Sequence, residues 1–133
     1  MQNEIHVPIH SDGDIVLARQ QGRVFAATLG FSQGDLTLIA TAISELARNI
    51  VEYAHNGEII LRALLKGSRK GIEIIASDRG PGIADINLAL QDGYSTRRSL
   101  GMGLPGTRRL MDEFEISSHI GNGTIVTIRK WEG

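Results

Sequence analysis

The chain has 133 residues, 41% of them hydrophobic and 22% charged, with a formal net charge of −1 and no cysteine. This is enough for one domain with a single core, residues 1–133, and too apolar for a disordered chain. Zero cysteines exclude disulfide and thiolate chemistry, a pI of about 6.4 argues against a nucleic-acid partner, and no run approaches the roughly 18 apolar residues of a membrane span.

The opening, MQNEIHVPIH, lacks the basic-then-apolar layout of a secretory leader, so a cytoplasmic protein without membrane partners is expected. Within it Ile5, Val7 and Ile9 alternate with polar neighbours, the pattern of a strand with one buried face. Ser11 and Asp14 stand at capping-box spacing, and Ile15, Ala18, Gly22, Phe25 and Leu29 continue as a helical stripe that Gly30 ends. Ser32 and Asp35 open a second helix with Leu36, Ile39, Ile43, Leu46 and Ile50 on its apolar side, running to about Ala54. Two strands follow, Glu58–Lys66 and Gly71–Ser77, joined through Gly67, Ser68, Arg69 and Lys70. A short helix is expected over Asp85–Gln91 and a loop over Gly93–Gly103. Pro105 suits the first turn of a third long helix, with Leu110, Met111 and Phe114 on its buried side. Strands Glu115–Ile120 and Thr124–Lys130 close the chain around the turn Gly121-Asn122-Gly123. Hairpins separated by helices predict a two-layer α/β sandwich, with one mixed, largely antiparallel sheet and the helices on one face.

Three pieces of this order carry chemistry. In ISELARNI, Glu45 and Asn49 lie four residues apart on one helix face, where an amide oxygen can hold a hard cation and a carboxylate can take a proton. A solvated polar face is the plainer alternative. In IIASDRGPGI, Asp78 ends an apolar run, and an ionised carboxylate there suits an exocyclic amino group; Gly80 and Gly82 would let a flat ring approach bare backbone. A tight turn with a capping Asp is the alternative. In LGMGLPG, Gly101 and Gly103 lead into a helix start, where backbone N–H groups and the helix dipole favour phosphate; a loop hinge would look similar. No Gly-Lys-Ser/Thr follows, so this is not a Walker loop. His6, His10, His55 and His119 have no metal-ligand spacing, and Tyr53 and Trp131 read as packing anchors.

Taken together, helix Glu…Asn, strand-end D-x-G-x-G and G-x-G at a helix start resemble the boxes of the GHKL nucleotide-binding superfamily, which includes gyrase B, MutL and the histidine kinases. ISELARNI, DRGPGI, GMGLPGTRRLMDEF and a closing IRKW are most similar to the RsbT-type serine/threonine kinases of bacterial partner-switching stress modules, over nearly the whole chain. The resemblance implies the Bergerat, histidine-kinase-like ATPase fold, with ATP and Mg²⁺ as ligands. It further implies that Glu45 is the catalytic base and Asn49 a Mg²⁺ ligand. Asp78 would bind the adenine amino group with Gly80 and Gly82 beside it, Gly101 and Gly103 would cradle phosphates, and Thr124 would bring a hydroxyl near the adenine. Arg97 and Arg98 fall where more glycine is expected in the family's lid; they would either meet the γ-phosphate or stay solvated. The implied substrates are STAS-domain antagonist and scaffold proteins of a stressosome-like module, and the implied target of the released kinase is a metal-dependent serine phosphatase. An anti-sigma factor of the same fold, sequestering a sigma subunit, is the alternative.

Overall fold

A computed structural model of the chain describes residues 4–80, 103–119, 121 and 123–132. Five strands, β1 (Glu4–Ile9), β2 (Gly57–Lys66), β3 (Arg69–Asp78), β4 (Glu113–His119) and β5 (Gly123–Trp131), form one sheet in the order β1-β2-β3-β5-β4. Every pairing among them is antiparallel. Period-two alternation sends Val7, Ile9, Ile59, Leu61, Ile72, Ile74, Val126 and Ile128 to one face, where they are buried against the helices. The two-layer sandwich with helices on one face is as predicted, with three α-helices among the described residues.

The helices begin where their caps dictate. In α1 (Asp12–Thr28), the Asp14 carboxylate accepts from the backbone N–H groups of His10 at 2.8 Å and Ser11 at 3.2 Å, so acid replaces the usual Glu of a capping box. In α2 (Gln33–Asn49), the Ser32 hydroxyl accepts from Asp35 N–H at 3.2 Å. Ile39, Ile43 and Leu46 of α2 lie in the centre of the core, and Glu45 is buried beside them.

Four boundaries differ from the sequence reading. The second helix reaches Ala54, but only to Asn49 as α-helix. Ile50–Ala54 is a π-turn, closed by His55 N–H donating to Ile50 O at 2.7 Å, with His55 left-handed at φ 66°. Arg69 and Lys70 belong to β3 rather than to the turn, because the hairpin pairs Lys66 with Arg69 and turns on Gly67 and Ser68 alone. The third helix, α3 (Gly103–Leu110), starts two residues before Pro105 and is short. It stops at Leu110, whose carbonyl accepts from Lys130 Nζ at 3.1 Å, a cation at the negative end of the helix. Asp112 then ties the chain to β5 through its N–H to Arg129 O and its carboxylate from Trp131 N–H. Phe114, expected on α3, therefore lies in β4, which starts at Glu113. The expected helix over Asp85–Gln91 and the loop from Gly93 fall outside the described residues, apart from Gly103.

The sheet face away from the helices carries a charged row. Glu4, Arg62, Glu73, Arg129 and Glu113 are register partners in turn across all five strands, so sign alternates at every step. Arg62 joins Glu4 (2.6 Å) to Glu73 (3.3 Å), and Arg129 joins Glu73 (2.7 Å) to Glu113 (3.1 Å) and Glu115 (2.6 Å). Glu73, 7% exposed, is thus a buried carboxylate held between two guanidinium groups.

Candidate active site

One register row builds the strand side of the site. Ile9, Gly57, Asp78, Thr124 and Ser118 are successive partners across β1, β2, β3, β5 and β4. Ile9 is buried in the core, so the row projects toward the helices, and it stands at the end of the sheet where β3 finishes. Asp78 is half-buried there. Its Oδ1 accepts from Gly80 N–H at 2.9 Å and from Thr124 N–H at 3.2 Å. Two backbone donors on one oxygen fix the carboxylate plane and direct Oδ2 away from them.

The neighbours of Asp78 fit closely. Gly123, at φ 85°, takes a backbone conformation that side chains avoid, and a Cβ there would run into the Asp78 carbonyl and come within 2.9 Å of Arg79 Cα. A Cβ on Gly80 would lie 2.6 Å from Ala54 Cβ and 2.8 Å from Ala54 Cα. Gly80 therefore lets the end of β3 close on the π-turn, a packing demand of its own beside the ring-admitting role expected from sequence. That contact joins β3 to the chain that leaves α2 at Asn49, bringing the strand-end carboxylate and the α2 terminus to the same end of the molecule.

On the helix side, Glu45 is 1% exposed and Asn49, one turn later, is half-buried as the last residue of α2. Glu45 is thus buried rather than on a solvated face, which removes the plainer alternative for that residue. Burying a carboxylate is costly unless polar groups answer it, and Glu45 does have a polar interaction within the chain. The intervening Arg48 has its Nε buried without a hydrogen-bond partner among the described residues. Gly103 opens α3, which packs against α2, so this helix N-terminus belongs to the same layer as Glu45 and Asn49. Gly82, Arg97, Arg98 and Gly101 lie outside the described residues.

Thr124 opens the paired stretch of β5 opposite Asp78, and its hydroxyl lies 2.7 Å from that of Ser118, which also donates to Gly123 O at 3.1 Å. The sequence reading missed Ser118, Gly123, Gly57 and Ala54. Ser118 was legible in principle: it alternates with Ile116 on the inward face of β4, and fixing the hairpin register at Gly121–Gly123 puts it opposite Thr124. Ala54 had no signal, because its role depends on a π-turn.

The profile of the histidine kinase-like ATPase domain matches residues 11–130. This chain belongs to the histidine kinase-like ATPase family, on its RsbT-type serine/threonine-protein kinase branch. It is 50% identical over 131 residues to serine/threonine-protein kinase RsbT of Bacillus subtilis (strain 168), covering 98% of each chain. It is 35% identical over 122 residues to the anti-sigma F factor of Thermoanaerobacter sp. (strain X514), covering 87% of this chain and 84% of that one. Among solved structures, the RsbU and RsbW domains of a Mycobacterium tuberculosis protein superpose with a TM-score of 0.67 at 24% identity, over 97% of this chain and 32% of that one. The mycobacterial sensor histidine kinase MprB superposes at 0.58 with 16% identity, over 96% and 97%. These two likenesses speak for the fold alone. Among the described residues, no helix is long and apolar enough to cross a membrane.

Proposed function

We propose that this family member binds ATP with Mg²⁺ and transfers the γ-phosphoryl group to a serine or threonine of a STAS-domain antagonist or scaffold protein. The observation that carries the reading is Asp78: one carboxylate oxygen is held by two backbone N–H groups, and the other is left to accept from a ligand at the helix side of the sheet. An amino-bearing purine meets an acceptor there, with the Thr124 hydroxyl beside it. Asn49 offers one hard oxygen at the α2 terminus, which fits Mg²⁺, an ion that takes one or two protein ligands and completes its shell with phosphates and water. Bound there, Mg²⁺ would supply charge neutralisation to the phosphates.

The remaining chemistry belongs to the chain. The substrate hydroxyl oxygen attacks the γ-phosphorus, its proton passes to the Glu45 carboxylate, and the bond to the ADP oxygen breaks with ADP as leaving group. A base buried to 1% exposure works away from bulk water, where positioning and electrostatics count most. Backbone N–H groups at the start of α3 would face the phosphates through Gly103, with Gly101 before it. Once its substrates are phosphorylated, the kinase would be released to activate a metal-dependent serine phosphatase.

The test is incubation of the chain with Mg·ATP and a purified STAS-domain protein, followed by mass spectrometry for phosphoserine and phosphothreonine. Transfer is expected; absence of transfer while ATP and the STAS protein both bind would remove the kinase reading. The 35% identity to an anti-sigma F factor favours one other reading, sequestration of a sigma subunit. Capture of a sigma factor in place of a phosphatase by the immobilised chain would reverse the order.

A further inference from the structure

The hydroxyl pair behind Asp78 has a direction. Ser118 Oγ donates to Gly123 O at 3.1 Å, and a carbonyl can only accept, so that bond uses the one proton Ser118 has. The 2.7 Å contact between Ser118 Oγ and Thr124 Oγ1 admits either hydroxyl as donor by geometry alone, and a Ser118 proton placed on the Gly123 carbonyl assigns the donor role to Thr124. With its proton turned inward to Ser118, Thr124 Oγ1 shows only lone pairs to the space beside Asp78. The Asp78 carboxylate next to it, joined through Thr124 N–H, is acceptor-only as well.

We infer that Ser118 is a positioning residue that sets base specificity: by holding the Thr124 proton, it makes the strand-end row a double acceptor that takes an exocyclic amino group and rejects a 6-oxo group. An amino group brings two hydrogens to two acceptors. A 6-oxo oxygen brings lone pairs to the same place and leaves all three oxygens unmatched, which is the arrangement by which polar sites discriminate most strongly. Ser118 is suited to this duty because it is 9% exposed, on the inward face of an edge strand, where water competes little for its hydroxyl. The inference rests on the nucleotide reading of Asp78.

The experiment is calorimetric titration of the full chain with ADP and with inosine diphosphate, in the unmodified protein, Ser118→Ala, Ser118→Thr and Thr124→Val. Removing the Ser118 hydroxyl frees the Thr124 proton to turn toward the base, so the preference for ADP over inosine diphosphate should fall roughly 3- to 10-fold, the worth of one hydrogen bond. Ser118→Thr keeps the hydroxyl and should keep the preference, which a merely structural role would not predict. Thr124→Val should lower the preference in the same direction, and it carries the test if Ser118→Ala does not fold. Equal weakening of both nucleotides in Ser118→Ala and Thr124→Val, with the preference unmoved, overturns the inference while the nucleotide reading stands. No binding of either nucleotide to the unmodified chain overturns both.

Discussion

Replacing Asp78 by asparagine separates the two jobs of its carboxylate. The Oδ1 side faces Gly80 N–H at 2.9 Å and Thr124 N–H at 3.2 Å, so an asparagine must turn its oxygen to these donors, since its NH₂ would meet them proton to proton. Both bonds survive, downgraded from charge-assisted to neutral, and unfolding free energy should fall by about 1–2 kcal/mol. The NH₂ is thereby forced to the ligand side, where a donor replaces the acceptor. Loss of that acceptor is worth about 1–3 kcal/mol, or ADP bound ~5- to 150-fold more weakly. Urea unfolding and calorimetric titration on the same sample read the two effects independently. Unchanged ADP affinity would remove Asp78 from the base site. A stability loss far above the figure for two weakened bonds, with affinity falling only as the folded fraction falls, would make Asp78 purely structural.

Glu45→Gln keeps the shape of the buried side chain but cannot take the substrate proton, so phosphoryl transfer should slow by about 10²–10⁴-fold. ADP affinity measured on that variant should stay near normal; a parallel fall in binding would make Glu45 a ligand or a structural residue. Gly123→Ala must place a Cβ against the Asp78 carbonyl from a φ of 85°, and strain plus overpacking should cost roughly 2–4 kcal/mol in urea unfolding; a midpoint equal to the unmodified chain would contradict the close approach. On the opposite sheet face, the Glu4 carboxylate and then Glu58 hold the His6 imidazolium above its ordinary 6.5. The folded state therefore binds that proton more tightly than the unfolded state. Its contribution is complete below pH 6.5 and is lost as pH rises through the raised folded value. Compared with His6→Gln across that window, the native chain should lose stability as pH increases; parallel pH profiles would show that His6 adds nothing.

Much of this architecture is visible in single residue types. The stripes Ile39, Ile43, Leu46 and Ile59, Leu61 each fix an element and its inward face, because burial of apolar surface obeys the period of the backbone. Asp78 is legible as a strand-end acceptor for the same reason: it terminates a run whose alternation is already set. What sequence could not give is anything decided by a partner far along the chain. The early end of α3 depends on Lys130, twenty residues later, reaching back to the Leu110 carbonyl. The π-turn after Asn49 depends on Gly57 and Gly80 being bare, so that Ile50 and Ala54 can sit against β2 and β3. Gly80 is read from sequence as room for a ligand, and the fold adds a second demand there, the close approach of Ala54. The helix-face spacing of Glu45 and Asn49 told that they share a side; it could not tell that Glu45 is buried while Asn49 remains half-open.

The alternating row on the sheet face away from the helices also sets the charge at the two borders of the sheet. Its two outermost members are Glu4 on β1 and Glu113 on β4, so among the described residues each border of the sheet ends in a carboxylate whose ordinary proton affinity is lowered, Glu4 chiefly by Arg62 and Glu113 chiefly by the Trp131 indole N–H. Another strand approaching either border with its own charged row in line would have to offer a cation there. A second molecule of this protein aligned that way offers an anion instead. Like charges set opposite each other across strands are unfavourable, and charged borders are a common guard against sheets that grow by stacking edge to edge. The pattern that satisfies Glu73 at the centre thus discourages polymerisation at the rim.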